Sequence, residues 1–126
     1  MSDARSRIAE RLQENEFLRR RLTVTREDYR EAVESLLPIA LADTSGSRAA
    51  AQVLLSTYNG HNYHMDITDL CVLDLAYVEK ALIVMRGRTL LSIEPHSLIE
   101  NGSERFLQLE DAWPGLHNSR RYQKSE

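Results

Sequence analysis

Cysteine is almost absent from this 126-residue chain, where Cys71 stands alone. A single thiol excludes an intrachain disulfide and any cysteine-based zinc cage, and it fits a reducing compartment. Long apolar runs are missing too: "AAAQVLL" and "ALIVM" fall far short of the roughly 20 residues needed to cross a bilayer. The first residues, "MSDARSRIAERLQENE", are charged throughout and hold no apolar h-region, so a cytoplasmic location is the expectation. The five glycines form no phosphate-cradling loop, and neither a nucleophile elbow nor a Ser-His-Asp order is readable. With no catalytic constellation, the chain is expected not to be an enzyme and to need no cofactor.

Hydrophobic residues at 42% and charged residues at 28% are close to globular averages, and the length suits one domain with a real core. The net charge of −3 hides an asymmetry, since residues 1–30 hold eight of the sixteen basic side chains against six of the nineteen acidic ones. A mildly acidic body therefore follows a weakly basic arm, and such a body does not invite nucleic acid.

Periodicity divides the chain into an amphipathic, charged N-terminal helix at 1–23, a helical domain at 24–116 and a polar tail at 117–126. Within 3–22 the apolar positions Ile8, Leu12, Leu18 and Leu22 make a thin stripe interrupted by Asn15, a polar position of the kind that sets register in a helix pair. "VTREDYREAVESLLPIALA" opens a second helix with Thr25 as N-cap, Glu27 and Asp28 in the first turn and Val24 placed to staple against Tyr29. Pro38 is expected to kink or end it near Leu37. "DTSGS" breaks the chain, "RAAAQVLLSTY" is an Ala-rich helix, and Asn59 or Gly60 is expected to take a left-handed conformation at its end. The longest helix is expected from Asp66 to Arg86, burying Ile67, Leu70, Cys71, Leu75, Val78, Leu82 and Met85 on one stripe and stopping at Gly87. "TLLSI" reads as extended or a short strand, without the partner strand a sheet requires. Pro95 opens a short helix through Ile99, Ser103 caps a last one through Trp113 before Pro114 and Gly115 end it, and the aperiodic tail "HNSRRYQKSE" is expected to be loose unless held. The predicted fold is all-α: a single compact bundle of five or six helices with a helical N-terminal arm.

"GHNYHMDITDL", residues 60–70, is the segment richest in possible ligands, with His61, His64, Asp66 and Asp69 inside it and Cys71 following. Zinc needs three or four converging ligands, and this spacing permits them without the helical geometry of His-Glu-x-x-His. A helix start accounts for most of these residues: Asp66 as N-cap, Asp69 at the positive end, Met65 and Leu70 at the staple positions. Only the histidines are left over, and loop histidines are often merely solvated. Asp74 falls near the apolar stripe, where it is expected to pair with Lys80 or Arg48. Tyr58, Tyr63 and Tyr77 read as core or rim residues rather than a stacking platform. The basic clusters are "LRRRL" at 18–22 and "RRYQK" at 120–124; because Glu10, Glu14 and Glu16 share the first helix, a solvated or acidic-partner-binding face fits better than a phosphate-binding one.

Between Leu36 and Leu116, "LLPIALADTSGSRAAAQVLL", "DITDLCVLD" and "WPGL" follow one another in an order that resembles a small uncharacterised helical domain family of proteobacteria and their mobile elements. In that family the segment before the Asp-x-Thr-Asp-Leu motif is rich in glycine and aromatics, so His61 and His64 depart from the pattern. The family has no established activity; the resemblance implies a compact helical fold and bacterial or phage origin.

Three functions are therefore weighed. The favoured one is a non-enzymatic interaction module of a bacterium, phage or mobile element, an inhibitor or adaptor acting on a host protein complex such as a defence system. It would bind through Ile8, Leu12, Leu18, Arg19, Arg20, Arg21 and Leu22, with the same helix able to pair with itself in a homodimer. The alternatives are a nucleic-acid-binding regulator using Arg19, Arg20, Arg21, Arg120 and Arg121, and a metal-dependent enzyme at His61, His64 and Asp66.

Overall fold

Thr25 starts the folded body as its residue type requires: in extended conformation, it accepts the Asp28 amide hydrogen on its hydroxyl at 3.0 Å. The computed structural model describes residues 3–123. In them it places six α-helices: α1 (Asp3–Leu22), α2 (Arg26–Ala40), α3 (Ser47–Tyr58), α4 (Leu75–Leu91), α5 (Gly102–Ala112) and α6 (Asn118–Arg121). Three 3₁₀ segments, Ile67–Val72, Pro95–Leu98 and Pro114–Leu116, join them, and no strand forms among the described residues. This is the all-α bundle that the periodicity predicts.

Helix α3 is the axis of the body, with Ala49, Ala50, Ala51, Val53, Leu54 and Leu55 all out of solvent. Its run of alanines lets neighbouring backbones approach closely, and α2 lies against it with Tyr29, Val33, Leu36 and Leu37 buried. Pro38 does not end α2, which runs to Ala40. Placed in the last turn and facing solvent, it removes one helical hydrogen bond where few remain to be lost. The orphan carbonyl of Ala40 is closed from far along the chain, by the Trp113 indole N–H at 2.7 Å. α3 does not end through a left-handed residue either: Asn59 has φ −146 and no glycine has positive φ. The Asn59 carbonyl instead accepts the amides of Asn62 and Tyr63, at 3.2 and 3.0 Å, and turns the chain.

The expected helix from Asp66 to Arg86 is not continuous. A 3₁₀ segment covers Ile67–Val72, Leu73 is extended (φ −81, ψ 143), and α4 begins after Asp74. Leu73 must turn inward, where it is buried over Gly46, at which a Cβ would stand 2.9 Å from the leucine Cδ2. The exposed stripe is also the reverse of the expected one. Ala81, Val84 and Gly87 are the buried residues of α4, whereas Leu75 is 85% exposed, Ile67 69% exposed, and Cys71 and Leu82 open to solvent. α4 is apolar on two faces, and the face of small residues wins because it admits α2 at close range. Gly87 accordingly stops nothing: it lies inside α4 under the Tyr29 ring, and the helix continues through Thr89–Leu91, the segment expected to be extended. The real stop is Ser92, at φ 57.

After the Pro95–Leu98 turn, Asn101 at φ 56 precedes α5, which starts at Gly102 rather than after Ser103. Gly102 cannot be replaced sterically, since a Cβ would lie 1.7 Å from the His96 carbonyl oxygen. Phe106 and Leu109 then seal the core.

Candidate interaction surface

Helix α1 obeys helix electrostatics, with Asp3 in its first turn and Arg19, Arg20 and Arg21 in its last, yet it buries none of its residues. Ile8, Leu12, Leu18 and Leu22 are all exposed, Leu12 at 63%. α1 meets the body through α4, where Leu22 joins Met85, Arg86, Thr89 and Leu90 around a shallow groove of about 200 Å³. Phe17, outside the predicted stripe, projects to the side of α1 opposite Ile8 and is 57% exposed, with the Arg21 guanidinium 5.8 Å from its ring centre. The outer face of α4 is apolar as well, with Leu75 and Leu82 exposed and Val78 and Met85 half-buried. The 3,4 spacing of those four residues is visible in the sequence, where it predicts core rather than surface.

The histidine loop is held together by a different logic from metal binding. Gln52, buried on α3, accepts the Asp66 amide hydrogen on its Oε1 at 2.8 Å and donates from Nε2 to the Asp69 carboxylate at 2.6 Å. The same Oε1 accepts from Arg121, whose guanidinium also donates to the Asp66 carboxylate at 2.7 Å and to the His64 carbonyl. Asp66 thus precedes the 3₁₀ segment without capping it, its carboxylate taken by Arg121. His64 lies within hydrogen-bond distance of the Tyr122 hydroxyl (3.0 Å) and the Asn118 side chain (3.2 Å), while the Asn118 amide group reaches the His61 carbonyl. His61 is exposed. Among the described residues no three histidine, cysteine or acidic groups converge as a metal site.

This network also fixes the start of the polar tail. Asn118 N–H donates to the Asn62 carbonyl at 2.8 Å, Tyr63 and His117 form an isolated antiparallel bridge, and α6 follows. The tail is therefore held through Gln123 by its own chain; Lys124, in the second basic cluster, lies outside the described residues. Arg121 has a side chain only 5% exposed and is committed to Asp66, so it is withdrawn from the set considered for phosphate contacts, while Arg120 remains exposed. Asp74 is exposed and pairs with neither expected partner: Arg48 lies 3.7 Å from Asp69, and Lys80 lies 3.8 Å from Glu31.

Burial governs the shifted tyrosines, and hydrogen-bonded ion pairs the shifted carboxylates. Tyr63, beside Glu110, is pushed up to about 12, and Tyr29 is pushed higher by burial although Arg88 opposes the shift. Tyr29 keeps its proton in a 2.7 Å hydrogen bond to the Ile93 carbonyl. Glu34 is held below the usual carboxylate range by its hydrogen bonds from Arg105, a two-pronged contact at 2.9 and 3.0 Å. All of these are ties between elements.

No helix among the described residues is long and apolar enough to cross a membrane. Neither a curated protein nor a solved structure matches the chain. Residues 30–114, from inside α2 to just past α5 and therefore without α1, match the model of a family of unknown function, DUF7673, to which this chain belongs.

Proposed function

We propose that the chain is a non-enzymatic, cytoplasmic protein-interaction module of bacterial, phage or mobile-element origin, in which the DUF7673 body carries α1 as its binding arm. The observation that supports this most is that α1 runs for 20 residues without burying one of them. Fifteen of its residues are Ala, Leu, Arg, Gln or Glu, good helix formers, yet most helical stability in proteins comes from whatever covers the apolar side. Ile8, Leu12, Leu18 and Leu22 supply the apolar contact, and Arg19, Arg20 and Arg21 supply the charge that selects an acidic edge on the partner. An inhibitor or adaptor acting on a host complex, for example one of defence, is the role such an arm suits.

The test is an affinity capture from nuclease-treated host lysate with the wild-type chain and with Ile8→Asp/Leu18→Asp, read by mass spectrometry. A stoichiometric protein retained by the wild type and lost in the double variant is expected. Equal retention by both would move binding off the arm.

A further inference from the structure

We propose that the surface covering the apolar side of α1 is α1 of a second copy, packed parallel and in register as a two-stranded coiled coil. This deepens the reading of α1 as a binding arm and rests on it. The residues Ala4, Ile8, Arg11, Asn15, Leu18 and Leu22 follow one another at spacings of four and three, the a and d positions of successive heptads. Ile8, Asn15 and Leu22 take a, while Ala4, Arg11 and Leu18 take d. Asn15 at a central a position is the residue that fixes register in parallel pairs, because each side-chain amide can bond its counterpart only when the two strands are aligned.

Charge decides the direction. In a parallel pair each g residue faces the e residue five positions further along the other strand, so Glu14 of one copy faces Arg19 of the other, twice per dimer. A fully overlapped antiparallel pair would instead set Glu14 against Glu14, Arg7 against Arg21 and Arg5 against Arg19, like charges at every flank except that of Leu12 against Leu12. Arg11 opposes itself in the parallel form, a cost that its stem reduces by lying along the apolar seam with the guanidinium in water. The seam runs into the body without a break: Leu22, its last a residue, borders the groove formed with Met85, Thr89 and Leu90 of α4. The two bodies thus lie at one end of the pair.

The 126-residue chain is measured by light scattering and sedimentation equilibrium at micromolar concentrations. A dimer is expected, with its dissociation constant raised on the order of a hundredfold by Ile8→Asp and lowered by Arg11→Leu, which removes the like-charge layer. Because no residue of α1 is buried among the described residues, neither change touches the core. In a Cys71→Ser background, which removes the exposed native thiol, Asn15→Cys is expected to oxidise to a symmetric disulfide dimer, while Gln13→Cys, on the outer side of the pair, does not. Equal crosslinking at both positions, a dimer indifferent to Ile8→Asp, or a monomer throughout the range would each overturn the proposal. A monomer that still captures another protein through Ile8 and Leu18 sinks self-pairing and leaves the binding arm standing. A monomer that captures nothing sinks both.

Discussion

Tyr29 lies across Gly87 so closely that a Cβ added to the glycine would come within 2.4 Å of the ring's Cγ and Cδ2. The ring is fully buried and its hydroxyl is anchored on the Ile93 carbonyl, so it cannot retreat without breaking a partly buried hydrogen bond. Gly87→Ala gains about 1 kcal/mol of helix propensity, but overpacking of this kind costs about 1–3 kcal/mol or more. A net loss is expected, measured as a lowered midpoint of urea unfolding. Pairing it with Tyr29→Leu should recover part of the loss; strict additivity of the two changes would mean that ring and glycine are not in conflict.

The same pair explains much of what could and could not be read in the linear chain. The caps and breaks were legible because they are local: Thr25 before its acidic turn, Pro95 opening a short turn, Pro114 just after α5. Gly87 misled because glycine after arginine at a turn boundary looks like a stop, and only the ring of a residue 58 positions earlier makes it a contact. The orientation of α4 was illegible for a related reason. Both of its faces are apolar, and which one is buried depends on the small residues that α2 selects, a tertiary choice that periodicity does not encode. The 3₁₀ break at Ile67–Val72 likewise depends on Gln52 and Arg121 drawing off the two aspartates that would have served a helix start. The stripe of α1 is visible in the sequence; that none of it is buried among the described residues is not.

The choice of face on α4 can be checked directly. Leu75→Ser, on the outer face, should leave stability within about 0.5 kcal/mol of wild type, because its side chain is 85% exposed. Val84→Ala, on the buried face, should cost roughly 1–3 kcal/mol through lost burial and a cavity. A reversal of that order in urea unfolding would put α4 the other way round.

Arg121 closes the polar network over Gln52, and its removal leaves the buried amide oxygen with one partner fewer and Asp66 without its counter-charge. Arg121→Ala is expected to cost about 1–2 kcal/mol. The sharper readout is local: hydrogen exchange at Asn118, whose amide donates to Asn62, should quicken, with α2 and α3 unchanged. Unchanged protection at Asn118 would show that α6 is held without Arg121, by the Tyr63–His117 bridge and the contacts of Asn118 and Tyr122 with the histidine loop. Lys at this position keeps the charge but not the fork that spans Gln52 and Asp66, so Arg121→Lys should restore only part of the protection.

Alkaline pH should unfold the chain through its buried phenols. Tyr63 is raised to about 12, mainly by burial and further by Glu110, and Tyr29 is raised beyond it by burial. In the unfolded chain both ionise near the ordinary tyrosine value of about 10. A group raised in the folded state favours folding fully below its unfolded value, and that contribution drains away as pH climbs through the folded value. Stability measured by urea midpoint should therefore fall between pH 10 and 12, and in Tyr63→Phe the fall should be shallower because one of the groups is gone. Glu34 acts in the opposite sense: held low by Arg105, it contributes stability that is present above the ordinary glutamate range and lost as pH drops below it. An alkaline limb as steep in Tyr63→Phe as in wild type would assign that limb to Tyr29 and the remaining phenols.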